Sequence, residues 1–364
     1  MVIRHLELFS GIGGFRQAMD LLCRDFGLQS LNVGFSEIEP NAINTYKANF
    51  KTDDEVEIGD IVSFVSNENN INALPDFELL TGGFPCQSFS MMGRQKGFKD
   101  MRGNVFFQIM DIIRNKQPKF VLLENVKNII THNKGVTFET IINSFRKEGY
   151  NYIYHDIFNS CNFALAQNRN RVYIFASKTP LGEDFKFTSK DVLDSFKNIV
   201  DETSLLKQQS TADVLDKNVD KKYYLSEIIK PTILADGSKN FKSKSEIDQL
   251  IARPLTATMA KMHRACQDNY FSDDFIKSSN KEEYSKKIFT KEELAQKSIR
   301  RLTPKEAFNL QGFDDTFYEK AKKTLVSDSQ LYKQAGNAVS VNTVYAILYY
   351  LIIDKCILGG EKYV

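Results

Sequence analysis

The sequence predicts an α/β fold: a doubly wound, mostly parallel sheet joined to a smaller, irregular domain. Three observations predict it. Short apolar runs alternate with helical spacing through the first half of the chain, and such alternation implies crossover connections between parallel strands. Strand ends are followed by glycines or acids, the places where open α/β sheets bind ligands. Past Lys178 the periodicity fades into a stretch rich in Lys, Asp, Ser and Asn that runs to about Arg300.

Residues 3–9 read as the first strand, and 15–22 as a helix behind a glycine turn. Residues 31–36 give a second strand, 40–50 a helix, 55–61 a third strand and 77–81 a fourth. The segment 104–116 carries Val105, Ile109, Ile112 and Ile113 at helical spacing. A fifth strand over 120–123, a helix over 138–147 and a later strand over 171–176 complete the pattern. Near the end, Thr303 caps a helix through Leu310, with Pro304 at its first position and Glu306 as the capping-box acid. Residues 341–351 form a strongly apolar final helix. This reading assigns 1–178 plus 328–364 to one domain and 179–327 to the other.

Composition narrows the class. At 364 residues with 42% hydrophobic and 26% charged, the chain suits a packed protein of two domains rather than a disordered one. Lys+Arg 48 against Asp+Glu 46 leaves +2, so any nucleic-acid contact must come from basic groups gathered locally. The five cysteines form no CxxC pair, which argues against a disulfide framework and against a metal cluster, and favours a reduced, cytoplasmic setting. Residues 2–9 carry no signal-peptide pattern. The longest apolar run, 344–353, is about half a membrane span, which predicts a soluble protein.

The chemistry sits in short motifs. Phe9-Ser10-Gly11-Ile12-Gly13-Gly14-Phe15 is a strand end, a glycine turn and a helix start, where backbone can approach a ligand closely. It lacks the third glycine of the dinucleotide fingerprint, which disfavours a hydride-transfer cofactor. Glu37 and Asp60 end the second and third strands. A carboxylate at the first position can grip ribose hydroxyls, and one at the second can accept from an adenine amino group, so the three features together point to an adenosyl cofactor. Cys86, in Phe84-Pro85-Cys86-Gln87-Ser88, and Glu124 in Glu124-Asn125-Val126 follow the fourth and fifth strands. A thiol nucleophile beside a carboxyl acid suits addition to an electron-poor ring, the sulfur attacking while the acid serves a ring nitrogen. Arg169 and Arg171, two apart, point the same way if extended and could hold a carbonyl oxygen or orient the acid. The basic, glycine-punctuated segment 92–103 suits a loop carrying phosphate contacts.

Together these blocks resemble the C5-cytosine-specific DNA methyltransferase family of bacterial restriction-modification systems. Phe9-Ser10-Gly11-x-Gly13-Gly14-Phe15, Pro85-Cys86-Gln87, Glu124-Asn125-Val126, Gln167-x-Arg169-x-Arg171, Arg301-Leu302-Thr303-Pro304-x-Glu306 and Gly336-Asn337-Ala338-Val339 stand in the family's order across nearly the whole chain. The resemblance implies an S-adenosylmethionine-dependent methyltransferase fold. Cys86 adds to C6 of a flipped cytosine, Glu124 holds and protonates N3, Arg171 binds O2 and Arg169 supports the site. It places the cofactor against Phe9, Gly11, Ile12, Gly13, Gly14, Glu37, Ile38, Asp60, Ile61 and Phe84, with Asn337, Ala338 and Val339 returning to close the pocket. Gln87, Ser88, Arg94, Gln95 and Arg102 become DNA contacts of a closing loop over 91–103. The irregular domain becomes the target-recognition region, with Leu255 and Thr256 near the base. Ala166 and Pro254 depart from the family's usual Pro and Thr. The resemblance also implies double-stranded DNA as substrate, action as a monomer on it, and a cognate endonuclease as possible partner. The alternatives are a transfer-RNA cytosine methyltransferase, against which the lysine-rich insert argues, and a catalytically inactive DNA-binding relative, against which intact Cys86, Glu124 and Arg171 argue.

Overall fold

The computed structural model describes residues 1–85, 105–237, 243–261 and 263–359. The chain forms two compact units. One comprises 1–159, 170–205 and 343–364, the other 160–169 and 206–342. The divisions thus fall at 205/206 and 342/343 rather than at 178/179 and 327/328. A further short excursion, 160–169, leaves the sheet-bearing unit between two of its strands.

Among the described residues of the first unit, seven strands form one sheet in the order β3-β2-β1-β4-β5-β7-β6. They are β1 (Val2–Leu8), β2 (Gln29–Phe35), β3 (Val56–Glu57), β4 (Leu79–Gly83), β5 (Phe120–Val126), β6 (Tyr152–Asn159) and β7 (Asn170–Ser177). The pairs among β1 to β5 are parallel, while β7 runs antiparallel to both β5 and β6. β1 has β2 on one side and β4 on the other, so the order in which the chain adds strands reverses between β1 and β4, whose carboxyl ends lie side by side. Open α/β sheets bind ligands at such a switch point.

Helices α1 (Gly14–Asp25), α2 (Pro40–Asn49), α3 (Ile61–Val65), α4 (Glu68–Ala73), α5 (Val105–Lys116), α6 (Val136–Lys147) and α7 (Ser189–Lys197) accompany the strands. The two sheet faces differ chemically. Alternate residues of β1 point opposite ways: Leu6 and Leu8 enter an apolar core with Ile109, Ile112 and Ile113 of α5 and Ile141 and Phe145 of α6. His5 and Glu7 are also buried, but they meet a polar layer. Asn32 donates to Tyr46 of α2 at 3.1 Å and to Glu55 at 2.7 Å, and Arg16 of α1 pairs with Asp20 and Glu55.

Strand β6 is the element the sequence reading omits. It is an edge strand whose residues are mostly half-buried or exposed, so it lacks the continuous apolar run of a central parallel strand. The third strand is only two residues long, because the chain turns at Gly59 and enters α3 at Ile61.

The second unit holds mainly short helices and one small antiparallel pair, β8 (Tyr270–Ser272) with β9 (Ile299–Arg301). A small core of Ile233, Leu234, Ala265, Tyr270, Leu294 and Ile299 supports it. The Thr303 capping box is present, with Thr303 Oγ1 accepting from Glu306 N and Glu306 accepting from Thr303 N. Glu306 also holds the fully buried Arg300 through two bonds of 2.8 and 2.7 Å. Asp328–Asp354 has the length and hydropathy of a membrane span, yet 83% of its apolar window is buried in the protein. It is broken at Ala338–Ser340 into separate helices, which marks it as core.

Candidate active site

The glycine turn is built by β1 and locked by β2. Phe9 lies in the left-handed region at φ 53, a conformation that costs a non-glycine residue of order 1 kcal/mol and persists only where neighbours enforce it. Here Phe9 N donates to Ser36 Oγ at 2.9 Å, and Ser10 N donates to Ser36 O at 2.8 Å. Gly13 takes φ 88 as the residue preceding α1, and a Cβ there would stand 2.3 Å from the Phe50 ring and 2.9 Å from Tyr46. Gly11 also has positive φ, but a Cβ on it would meet nothing within 4 Å. One side of the turn is therefore packed on α2 and the other is open.

Glu37 spans the opening between β1 and β2. Its carboxylate accepts from Gly11 N at 2.8 Å, Ile38 N at 2.8 Å and Glu39 N at 2.9 Å. Ile38 is 70% exposed beside it. Asp60 is exposed at the start of α3, where it accepts from Val62 N and from the Ser63 hydroxyl at 2.7 Å. The Ser63 hydroxyl, with the helix N–H groups, holds the Asp60 carboxyl below its usual range, so it stands there as an ionised acceptor. Ile12 and Ile61 are buried. Phe84 is buried too, its ring packed on Phe106 with centroids 5.5 Å apart. Its side chain packs in the core cluster with Ile61 and Ile109.

The second cluster follows β4 and β5. Glu124, 8% exposed, sits beside Gly83 in the parallel pairing. On the other side, β7 places Arg171 opposite Val126. This is the diagonal position to Glu124, from which long side chains meet. Arg171 Nε and Glu124 Oε1 are 2.9 Å apart, a charge-assisted contact in a largely buried setting. Asn125, whose role the motif alone does not reveal, donates to Phe84 O at 2.7 Å and so ties the two strand ends together. Cys86, Gln87, Ser88, Arg94, Gln95 and Arg102 lie outside the described residues; the chain is described as far as Pro85.

Other candidates lie in the second unit. Arg169 is buried at 3% exposure and donates to the carbonyls of Leu255, Gly336 and Ala338. Asn337 is exposed at the end of the helix Asp328–Asn337, while Ala338 and Val339 are buried. Leu255 is 3% exposed and Thr256 is exposed. The Leu255 side chain packs inward, as an apolar side chain in a short loop does, and Thr256 carries the exposed surface of the pair.

The profile of the C-5 cytosine-specific DNA methylase family matches residues 3–352. Among named proteins, the chain is 34% identical to the type II methyltransferase M.HpaII of Haemophilus parainfluenzae, covering 94% of this chain and 87% of that one. It is 35% identical to M1.ScrFI of Lactococcus lactis subsp. cremoris, over 94% and 76%. It is 31% identical to the orphan methyltransferase M.SPRI of Bacillus phage SPR, over 96% and 97%. In fold it is similar to the Entamoeba histolytica methyltransferase EhMeth, with TM-score 0.72 and 21% identity over 99% and 100% of the two chains. It is also similar to the S. pombe Dnmt2 methyltransferase, with TM-score 0.68 and 20% identity over 96% and 98%.

Proposed function

Because the chain belongs to the C-5 cytosine-specific DNA methylase family, and is thus a DNA (cytosine-5) methyltransferase, we propose which of its residues carry the reaction and what it serves. The observation that carries the assignment is the Glu124–Arg171 pair at the carboxyl edge of the sheet. A carboxyl and a guanidinium fixed side by side can engage two adjacent ring positions, N3 and O2 of a cytosine. Such a base must leave the duplex to be reached, at a cost of a few kcal/mol.

In this reading the Cys86 thiolate forms a bond to C6 while Glu124 delivers a proton to N3, and Arg171 holds O2. Electron density then rises at C5, which takes the methyl group. Loss of the C5 proton to solvent, breakage of the Cys86–C6 bond with its electron pair returning to the sulfur, and return of the N3 proton to Glu124 release the methylated base and regenerate the enzyme. S-adenosylmethionine, when bound, supplies the electrophilic methyl. What supports it as donor is the residue set: an open side over Gly11, the ionised acceptor Asp60, the Glu37 carboxylate and an exposed Ile38 surface for an adenine face. Thr256 remains a proposed DNA contact, as do Gln87, Ser88, Arg94, Gln95 and Arg102. The sheet-bearing unit is the proposed catalytic unit and the other the target reader.

The biological reading is protection of host DNA within a restriction-modification system in the cytoplasm, the chain working as a monomer beside a cognate endonuclease. The similarity to type II methyltransferases supports it.

The test is methyl transfer from labelled S-adenosylmethionine to unmethylated duplex DNA, with transfer RNA and with Cys86→Ala in parallel. Label at C5 of cytosines within one short sequence is expected, with none from Cys86→Ala although that variant still binds DNA. Full activity of Cys86→Ala would overturn the nucleophile, and label in transfer RNA alone would overturn the substrate.

A further inference from the structure

Two polar side chains of the second unit, Gln167 and Arg169, converge out of solvent on one short piece of backbone, and a third, Gln311, braces the helix beside it. Gln167 and Gln311 are fully buried and Arg169 nearly so. Gln167 Oε1 accepts from Leu255 N at 2.9 Å, and Arg169 Nη1 donates to Leu255 O at 3.0 Å. The peptide groups on both sides of Leu255 are thus gripped by side chains. The other arm of Arg169 donates to Gly336 O at 3.1 Å and Ala338 O at 2.9 Å. Gln167 Nε2 donates to Leu310 O at 2.9 Å, and Gln311 Nε2 donates to Ala335 O at 2.7 Å. Backbone pairing extends the grip, because Ala252 N donates to Ala166 O and Asn168 N donates to Ala252 O, each at 2.8 Å.

The fourth component is a glycine. A Cβ on Gly336 would stand 2.2 Å from Thr256 C and 2.3 Å from Thr256 O. These are backbone atoms, which cannot swing aside as a side-chain tip can. Gly336 thus lets the 255–257 backbone lie directly on the helix Asp328–Asn337, with the Thr256 side chain turned to solvent.

We infer that Gln167, Arg169 and Gly336 are positioning residues, a buried clamp that fixes the 255–257 backbone and through it sets how well the enzyme discriminates its target sequence. Arg169 acts here as a structural fork on three carbonyls, not as a group that touches the base. The physical reason is geometric. An exposed contact residue on a short loop discriminates only as sharply as its backbone is held, and a planar guanidinium serves fixed acceptors in a way a lysine ammonium does not. The inference rests on the reading of Thr256 as a DNA contact.

The test uses the full chain with Arg169→Lys, Gly336→Ala and Gln167→Leu. Two readouts are taken: amide hydrogen exchange of the 252–258 segment without DNA, and kcat and KM on the cognate duplex and on duplexes altered at one base pair. The expected result is faster exchange in that segment for all three variants. KM for cognate duplex rises about tenfold, and the cognate-to-altered ratio of kcat/KM falls by at least about tenfold. Arg169→Lys, which retains the charge, does not rescue. Unchanged exchange overturns the clamp. So does a loss confined to kcat with discrimination intact, which would make Arg169 part of the chemistry. Faster exchange with KM and discrimination unchanged overturns the role in target reading while leaving the clamp. Should Arg169→Lys fail to fold, Gly336→Ala and Gln167→Leu decide the matter by the same readouts. Failure of the wild type to methylate DNA at all would instead sink the underlying reading, and the exchange result would stand apart from it.

Discussion

At the scale of single residues, the Glu124–Arg171 pair invites separate tests of its two members. Glu124→Gln keeps the shape and can still accept a hydrogen bond, but it has no acidic proton for the delivery to N3 proposed above. General-acid loss costs about 10²–10⁴ in rate, so at least about tenfold lower kcat is expected, with cognate DNA affinity little changed. Turnover equal to wild type would show that the carboxyl proton is not used. Arg171→Lys is not conservative here. The diagonal register of β5 and β7 brings Nε to 2.9 Å from Oε1, and a lysine would replace a planar donor fork with a point charge. Single-turnover kinetics should show Arg171→Lys at least about tenfold slower, since both the acid's orientation and the proposed O2 contact are weakened.

At the scale of elements, the glycine turn shows why local sequence can be read so directly. A strand, Phe9-Ser10-Gly11-x-Gly13-Gly14 and a helix start are all encoded within about fifteen residues, and the structure forms them there. What the sequence could not show is the partner across the turn. Phe50 and Tyr46 come from the far end of α2, and their contact with Gly13 depends on tertiary packing. The same holds for Asn125, whose bond to Phe84 O joins two strands separated by a crossover. Strand β6 was illegible for a different reason, since an edge strand with mixed burial has no strong period. Glu7 could have been noticed as an acid inside an apolar strand, a pattern that signals a buried polar partner. The Glu124 and Arg171 motifs were legible because each lies at a strand end; the units' divisions were not, because 160–169 and 206–342 belong together only in space. The turn yields its own prediction. Gly13→Ala must hold positive φ, costing about 1–2 kcal/mol, and must also displace the Phe50 ring, costing about 1–3 kcal/mol as overpacking does. Reduced thermal stability together with weakened S-adenosylmethionine binding is expected by calorimetry. Gly11→Ala, with open space at its Cβ, should cost less stability than Gly13→Ala; the reverse order would contradict the packing described.

At the scale of the whole molecule, the polar layer beneath β1 makes folding stability depend on pH in two opposite senses. Glu7 is fully buried, and that burial pushes its carboxyl up to about 8, against the pull of Arg16, the N–H groups of Arg16 and Phe15, and the Tyr46 hydroxyl. An unfolded glutamate titrates near 4.3. The folded state therefore binds the extra proton between those values, and Glu7's contribution is lost as pH rises through that window, with a slope of at most about 1.4 kcal/mol per pH unit. His5, on the same strand face, is held down to about 3 by burial first and by Arg16 second. It is neutral in the fold, whereas the unfolded imidazole charges near 6.5, so its contribution is lost as pH falls from about 6.5 toward 3. Glu7→Gln presents an uncharged group of the same size and removes the alkaline limb while His5 retains the acid one. Denaturant titrations of both proteins from pH 5 to pH 9 should give a stability difference that moves steadily in favour of Glu7→Gln up to about pH 8 and then levels off. A difference that stays flat with pH would mean that Glu7 is ionised in the folded protein throughout, and that Arg16 rather than burial governs it.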